Sequence, residues 1–289
     1  MTNLKVENVY TRQTAKELTH KHFWKLLGMF AIVFGINYAV SLGGTALLAG
    51  TGDETTYMVG YLITLLITTL LSGGLTLGLL SAMINLCRGN AVRVGAVFGR
   101  MSQCLKGFGL SLWVGLKTVL WMLPGYALLI AGVIMTSGMS NTANAEESAA
   151  IVSLLMLGAM ILIFALVIPA AMRYMLSTFV MADKPDTGVF ESVRQSKAMM
   201  KGHKWQAFKL IIPVLLVMYV ILLVAALVLG AGASLLGITP NTVNDLSVVL
   251  AVVMTAVMAY YMIRMYVCYT LFYIKRAEEQ NPVTEAAAE

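Results

Sequence analysis

Long apolar runs separated by short polar connections dominate the chain. Each run reaches the length of about 20 apolar residues that an α-helix needs to cross a bilayer. The six runs are Trp24–Leu48, Tyr57–Cys87, Phe108–Met135, Ala149–Met181, Trp205–Leu236 and Leu246–Ile274. The pattern predicts an all-α, polytopic membrane protein with six transmembrane helices. It divides the chain into an N-terminal amphipathic segment (1–22), a membrane domain (23–276) and an acidic, disordered tail (277–289).

A second pattern lies in the connection before the fifth run. Residues 189–200 place one side of a helix at positions i, i+4, i+7 and i+11, with charged residues opposite. This spacing is typical of an amphipathic helix that lies in a membrane interface. The predicted interface residues are Val189, Phe190, Val193, Met200 and the two tryptophans that open the fifth and first runs, Trp205 and Trp24.

Similar segments precede the third and first runs. Residues 93–106 place Val94, Val97 and Met101 on one helical face, and residues 14–24 form a looser copy that ends in His-x-Trp like 203–205. The chain therefore divides into three units of about 95 residues, each an amphipathic helix followed by a transmembrane hairpin. The alternative is that basic juxtamembrane helices are common in polytopic proteins and carry no sign of duplication.

Charge separates the connections into two groups. The loops 49–56, 136–148 and 237–245 contain acidic residues but no Lys or Arg, whereas the N-terminal segment, the other two loops and the start of the tail are basic. By the positive-inside rule, both termini are predicted to be cytoplasmic and the protein to lie in the cell membrane. The three cysteines then lie at the reducing, cytoplasmic end, so no disulfide is expected.

Composition narrows the functional class. The chain is 59% hydrophobic and 12% charged, which is far from the average of a soluble domain. Its net charge of +6 favours anionic lipid headgroups over nucleic acid as the partner, because the basic residues flank the apolar runs. The six runs contain no Asp or Glu, and no metal-binding or nucleophile motif is present. We therefore expect no catalysis, no cofactor and no metal.

Several stretches resemble one protein family. They are Ala182-Asp-Lys-Pro185, Glu191-Ser-Val-Arg-Gln-Ser196, Lys201-Gly-His-Lys-Trp205, Arg88-Gly89-Asn90, Leu123-Pro124-Gly125 and the closing aromatic cluster Tyr269…Phe272-Tyr273. The chain resembles the bacterial integral membrane proteins catalogued as domain of unknown function 975, although the Pro-Tyr pair expected in the last span is missing. The Ser-x-x-x-x-Lys-Gly-x-x-Trp pattern is more loosely similar to the membrane part of some glycerophosphodiester phosphodiesterases. The family resemblance implies a bacterial cell membrane and a six-span fold, without an agreed activity.

Three cations lie inside the apolar runs. Lys117, Arg173 and Arg264 each fall roughly 15 Å along a helix from the predicted cytoplasmic boundary. A cation at that depth costs at least about 2.5 kcal/mol, so such residues usually face the bundle or a wet cavity. We hypothesise that the three converge on one water-accessible cavity that binds an anionic group. The alternative is that each reaches the headgroups, or bonds to carbonyls freed near prolines.

These features lead to two functional hypotheses. The first is binding or transport of an anionic or amphiphilic small molecule or lipid. The second is a non-catalytic structural or regulatory partner of another membrane complex. A continuous polar path through the bundle would favour the first hypothesis, and a closed, dry bundle would favour the second.

The predicted orientation can be tested by cysteine labelling of intact cells. Cysteines introduced at Thr55, Asn141 or Asn241 should react with an impermeant thiol reagent, because these loops are predicted to be external. Cysteines at Ser102 or Lys197 should react only after permeabilisation. External labelling at Lys197 would contradict the orientation.

Overall fold

The computed structural model describes residues 2–49, 53–139, 145–235 and 240–280. These residues form helices and contain no strand, which confirms the all-α prediction. The helices are α1 (Thr2–Lys21), α2 (Phe23–Leu48), α3 (Glu54–Cys87), a 3₁₀ helix (Val94–Gln103), α4 (Cys104–Met139), α5 (Ala145–Tyr174), α6 (Ser177–Asp183), α7 (Val189–Met199), α8 (Lys204–Leu235) and α9 (Pro240–Gln280). The last helix continues four residues into the predicted tail, and 281–289 lie outside the described residues.

Six helical stretches of the described chain are long and apolar enough to cross a membrane, as predicted. They belong to α2, to α3, to the 3₁₀ helix with α4, to α5 with α6, to α8 and to α9. The three hairpins are formed by α2 with α3, α4 with α5, and α8 with α9. The protein is therefore a multi-pass membrane protein.

The long helix α3 has an exposed part and a buried part. Its 34 residues extend for about 51 Å, which exceeds the roughly 30 Å hydrocarbon thickness of a bilayer. Large apolar side chains between Tyr57 and Ile67 are exposed, as expected for a lipid-facing surface, whereas most residues from Gly73 to Leu86 are buried. The buried parts of the helices meet at one end of the bundle. The 3₁₀ helix, α6 and α7 lie at this end. We call it the basic end, because the 3₁₀ helix and α7 carry Lys and Arg residues.

The fourth predicted span is broken into two helices. α5 ends at Tyr174 and α6 begins at Ser177. Two carbonyls near the break accept hydrogen bonds from side chains: Ser177 Oγ donates to Tyr174 O, and Ser196 Oγ of α7 donates to Arg173 O over 2.9 Å. These hydroxyls satisfy backbone groups that a continuous helix would have used itself. The break lies after Pro169, which remains inside α5.

The amphipathic segments pack in a cyclic order. α1 packs mainly on α9 and α8, the 3₁₀ helix on α3 and α2, and α7 on α6, α4 and α5. Each amphipathic segment thus covers the hairpin of the preceding unit, and α1 covers the hairpin of the last unit. This closed order supports the prediction of a threefold internal repeat.

Individual contacts follow the same order. Val94 of the 3₁₀ helix lies against Gly28 of α2, Val189 of α7 lies against Gly109 of α4, and Arg12 of α1 bonds to the carbonyl of Lys209 in α8. Gly28, Gly109 and Lys209 each lie five positions after the first residue of their helix, which is Phe23, Cys104 or Lys204. On the hairpin side, the three contacts therefore lie at the same distance from the start of the helix.

This packing corrects the prediction that one whole face of α7 contacts lipid headgroups. Val193 and Met200 are 1% and 0% exposed, because they pack into the protein core. Val189 is partly buried in the same cluster. Phe190 and Trp205 are 67% and 63% exposed, and Trp24 is also exposed, so lipid contact remains a prediction for these three aromatic residues.

Small residues allow α3 to contact its neighbours closely. A Cβ added to Gly73 would lie 2.7 Å from the backbone nitrogen of Phe108, and one added to Gly78 would lie 1.7 Å from the carbonyl oxygen of Val97. In both cases the obstacle is backbone, which cannot rotate away as a side chain can. The 3₁₀ helix and the start of α4 therefore depend on glycine at these positions.

Gly78→Ala should lower the melting temperature of the purified protein, since overpacking of this kind costs about 1–3 kcal/mol. Gly35→Ala in α2 is the matched control, because a Cβ there meets nothing within 4 Å. That control should melt at or slightly above the wild-type temperature, as alanine favours helix. Equal melting of the two variants would contradict the close packing of α3 and the 3₁₀ helix.

Candidate functional site

Three polar side chains meet at the basic end of the bundle. Arg88 Nη1 and Nη2 donate to Asp183 Oδ1 and Oδ2 over 2.6 and 2.9 Å, and Tyr273 Oη donates to Asp183 Oδ2 over 3.0 Å. Arg88 directly follows α3, Asp183 is the last residue of α6, and Tyr273 lies in the last third of α9. Each of the three units therefore contributes one residue. We call this group the Asp183 junction.

The position of Arg88 depends on the turn that follows it. Gly89 has a φ of +86°, a conformation that glycine adopts without steric cost. Asn90 N then donates to Asn85 O, which closes the turn at the end of α3. Hydrogen bonding to the Asp183 carboxylate raises the pKa of the Arg88 guanidinium above its ordinary value. The guanidinium is therefore held in its charged form.

Other basic side chains connect the same region. Arg100 of the 3₁₀ helix donates to Ala182 O over 3.3 Å, and Lys106 of α4 donates to Pro185 O over 3.0 Å. The end of α6 and the residues after it are thus bound by the 3₁₀ helix and by α4. The Arg-Gly-Asn, Ala-Asp-Lys-Pro and closing aromatic motifs therefore lie at one place, although their separation in sequence gave no sign that they would meet.

Two of the three predicted intramembrane cations lie along the contact between α4 and α5. Lys117 Nζ lies 4.7 Å from the ring centre of Trp113 and 5.9 Å from that of Tyr174. The Arg173 guanidinium lies 5.2 Å from the ring of Trp121. Both cations are half-buried and held over aromatic faces, which attract cations through the ring quadrupole.

A third cation joins them from α7. Lys197 Nζ lies 5.6 Å from the ring centre of Tyr174, so that ring is shared by two lysines. Trp113 also packs edge-on against Phe190 of α7, with ring centres 4.9 Å apart. We call Lys117, Arg173 and Lys197, with Trp113, Trp121 and Tyr174, the Tyr174 cluster. Among the described residues, no carboxylate forms an ion pair with any of its three cations.

The third predicted cation, Arg264, belongs to a different hairpin. It is on α9, which packs against α1, α2, α3, α7 and α8, and no described contact connects it with Lys117 or Arg173. Four cavities lined by described residues include none of the three cations. Lys117 and Arg173 therefore lie at the same helix contact, whereas the convergence of Lys117, Arg173 and Arg264 on one cavity stays a prediction.

At the basic end, the second helix of each hairpin contributes to one apolar core. It contains Leu77, Leu80 and Ile84 of α3, Phe179 and Val180 of α6, and Phe272 and Tyr273 of α9, all buried. These side chains fill the space between the three units directly beside the Asp183 junction. A polar path does not run through this part of the described structure.

A cavity of about 310 Å³ lies between α4 and the break between α5 and α6. Its lining includes the Tyr174 side chain together with the hydroxyl residues Ser111, Thr118, Ser177 and Thr178. The described residues form no group of three or more His, Cys, Asp or Glu side chains that could hold a metal ion. The chemistry available at the Tyr174 cluster is therefore that of cations, aromatic faces and hydroxyls.

Sequence reasoning identified Lys117 and Arg173 but missed Lys197 and the three aromatic residues. Trp113, Lys117 and Trp121 have a spacing of four residues, so a helical face carrying aromatic, basic and aromatic side chains was visible in the sequence. Lys197 gave no such sign, because it lies on the charged side of α7 and meets Tyr174 only through tertiary packing.

Comparison with known proteins gives one match. A family model described as "Protein of unknown function (DUF975)" matches residues 5–215. No curated protein and no solved structure matches the chain.

Asp183→Asn should destabilise the protein by about 1–3 kcal/mol, measured by thermal or denaturant unfolding in detergent. The variant removes the charge that accepts from Arg88 and Tyr273, and the 40% exposure of the Arg88 side chain limits the loss. Asp186→Asn is the matched control, since Asp186 is exposed and lies three residues away.

A double variant separates the pair from general damage. Arg88→Gln in the Asp183→Asn background should cost less than Arg88→Gln in the wild type, because the partner charge is already absent. Additive effects of the two changes would show that the Asp183 junction does not couple α3 to α6.

Proposed function

The chain belongs to the DUF975 family of proteins of unknown function, and we propose that it binds an anionic amphiphile, such as a lipid with a phosphate headgroup, at the Tyr174 cluster. The observation that carries this proposal is that three cations surround aromatic rings with no described carboxylate in ion-pair contact. An anionic headgroup supplies the charge that the protein does not.

The energetics favour an external anion. Lys117 and Lys197 approach the same buried Tyr174 ring, and like charges held near one ring repel each other. Aromatic faces offset part of this cost, by about 0.5–2 kcal/mol for each cation. A bound anion would offset more of it through charge-assisted hydrogen bonds, and binding to the folded state alone would stabilise that state.

The repeat itself does not require these cations. Lys117 lies thirteen positions after Cys104, the first residue of α4. The residues thirteen positions after Phe23 in α2 and after Lys204 in α8 are Ile36 and Val217. Two units therefore form the same hairpin with an apolar residue at this position. A hairpin of this kind therefore forms without a cation at this position, which is consistent with a ligand-binding role for Lys117.

Access from the bilayer suits this location. The neighbouring exposed residues of α4 are Leu112, Leu116 and Leu120, which form a lipid-facing surface beside the cluster. Trp121 is itself exposed, and Lys117 and Arg173 are half-buried. An amphiphile could place its chain along the leucines and its headgroup at the cations, as snorkelling basic residues do at membrane interfaces. This lateral route needs no path through the closed inner core.

The proposal includes an orientation. With the basic end cytoplasmic in a bacterial cell membrane, the Tyr174 cluster would face the leaflet that is rich in anionic lipids. The function would be lipid binding, or movement of an amphiphile along this face, rather than catalysis.

The closed apolar core also favours the second hypothesis, a non-catalytic partner of another membrane complex. A structural partner needs no ligand at the Tyr174 cluster. The two hypotheses therefore differ in whether anionic lipid binding depends on these cations.

The test is thermal unfolding in nanodiscs of phosphatidylcholine with and without phosphatidic acid. Wild-type protein should melt at a higher temperature with the anionic lipid. Arg173→Gln should lose most of this gain, and Arg173→Lys should retain part of it, because lysine lacks the bidentate fork. Native mass spectrometry should show phosphatidic acid bound at least about tenfold more weakly to Arg173→Gln, the equivalent of 1.4 kcal/mol.

Lys209→Gln is the matched control. Lys209 also lies over a tryptophan, 5.8 Å from the ring of Trp205, but it belongs to a different hairpin. Its replacement should leave the lipid response unchanged. An equal lipid response in wild type, Arg173→Gln and Lys209→Gln would contradict the proposed site and favour the structural partner.

A further inference from the structure

A second cavity lies at the basic end, beside the turn after α3. It has a volume of about 470 Å³ and is lined by Ser81 and Asn85 of α3, by Asn90 and Arg93 of the turn, and by the first residues of the 3₁₀ helix. This volume is within the range of about 300–1,000 Å³ of small-molecule sites. None of these residues belongs to the Tyr174 cluster.

The polar side chains of this cavity are not used by the fold. No described hydrogen bond or ion pair engages the side chains of Ser81, Asn85, Asn90 or Arg93. The Arg-Gly-Asn motif shows the contrast clearly. Arg88 binds Asp183, and Gly89 supplies the positive φ of the turn. The backbone of Asn90 closes the turn, but its side chain lines the cavity.

The donors indicate the class of ligand. Arg93 contributes a permanent positive charge with a planar set of N–H groups, and the asparagine amides and the serine hydroxyl contribute neutral donors. No carboxylate is among the residues that line the cavity. A phosphate group has three terminal oxygens for these four side chains, whereas a carboxylate has two. The set therefore fits a phosphate group best.

The position of the cavity favours a ligand from the aqueous phase. Gly73 of α3 contacts Gly107, near the start of α4. Asn85 lies twelve residues after Gly73 in α3, which places it about 18 Å further along the helix axis toward the basic end. Asn85, Asn90 and Arg93 are all exposed at this end of the molecule.

We propose that this cavity is a binding site for a water-soluble phosphate ester, held by Arg93 with Asn85, Asn90 and Ser81. The site is separate from the lipid site, and binding there fills a pocket next to the Asp183 junction. Occupancy would stabilise the turn after α3 and, through Arg88, the contact between α3 and α6.

The experiment is a thermal-shift titration of the full chain in phosphatidylcholine nanodiscs, with glycerol 3-phosphate, inorganic phosphate and acetate as probes. A parallel set of nanodiscs contains phosphatidic acid. Wild-type protein should show saturable stabilisation by glycerol 3-phosphate and none by acetate at equal ionic strength. Arg93→Gln should raise the half-saturating concentration at least tenfold, and Asn90→Ala should raise it by a smaller factor.

Two controls make the result specific. Arg194→Gln removes an exposed arginine of α7 that pairs with Glu191 at 3.8 Å, and it should leave the titration unchanged. Arg173→Gln should also leave it unchanged, although this variant should lose most of the response to phosphatidic acid. The melting temperatures without ligand show whether each variant is folded, and Arg93→Lys provides a second variant that keeps the charge.

Several outcomes would overturn the proposal. Equal titrations for wild type and Arg93→Gln would show only a general salt effect. Stabilisation by acetate as strong as that by glycerol 3-phosphate would exclude selection for phosphate. A response that depends on Arg93 but occurs only with phosphatidic acid in the nanodisc would assign the cavity to a lipid headgroup instead of a soluble ligand.

Discussion

The Asp183 carboxylate is the contact on which the arrangement of the three units depends. It accepts from Arg88 of the first unit and from Tyr273 of the third, and it is only 13% exposed. A carboxylate in that position is costly without partners, and three hydrogen bonds to it offset the cost. The apolar residues around it supply most of the favourable burial, but they are non-directional. The charged contact selects which helix ends meet.

The cyclic packing explains how an amphipathic segment can be polar on one side and still be well ordered. Each segment lies on the hairpin of the preceding unit, so its apolar face is covered by protein. Val97 and Val193 are buried in this way, and Gly28 and Gly109 allow the close contacts of Val94 and Val189. The ring closes through α1 and α8, which connects the start of the chain to its last hairpin. The same apolar faces that would suit a membrane interface therefore serve the protein interior.

The two proposed sites contain basic and polar side chains that do not take part in the Asp183 junction. The Tyr174 cluster lies where α5 breaks and α7 approaches α4, so it joins residues of the second unit to Lys197 of the third. The cavity around Arg93 lies where the chain turns after α3, between the first unit and the 3₁₀ helix of the second. In both places basic side chains lie without a described carboxylate partner, in a molecule of net charge +6. The three units share one packing order, and the candidate sites lie where successive units meet.

The sequence alone determined the class of the molecule, the six spans and the amphipathic segments, and it predicted a division into three units. These properties follow from apolar length and helical period, which are local quantities. Arg88, Asp183 and Tyr273 also stood out as motif residues, and Lys117 and Arg173 as costly cations. Only the tertiary structure decided that Asp183 binds Arg88 and Tyr273, and that Lys197 joins Lys117 at Tyr174. It also decided that Val193 and Met200 face protein rather than lipid, since helical period shows which residues share a face but not what covers that face.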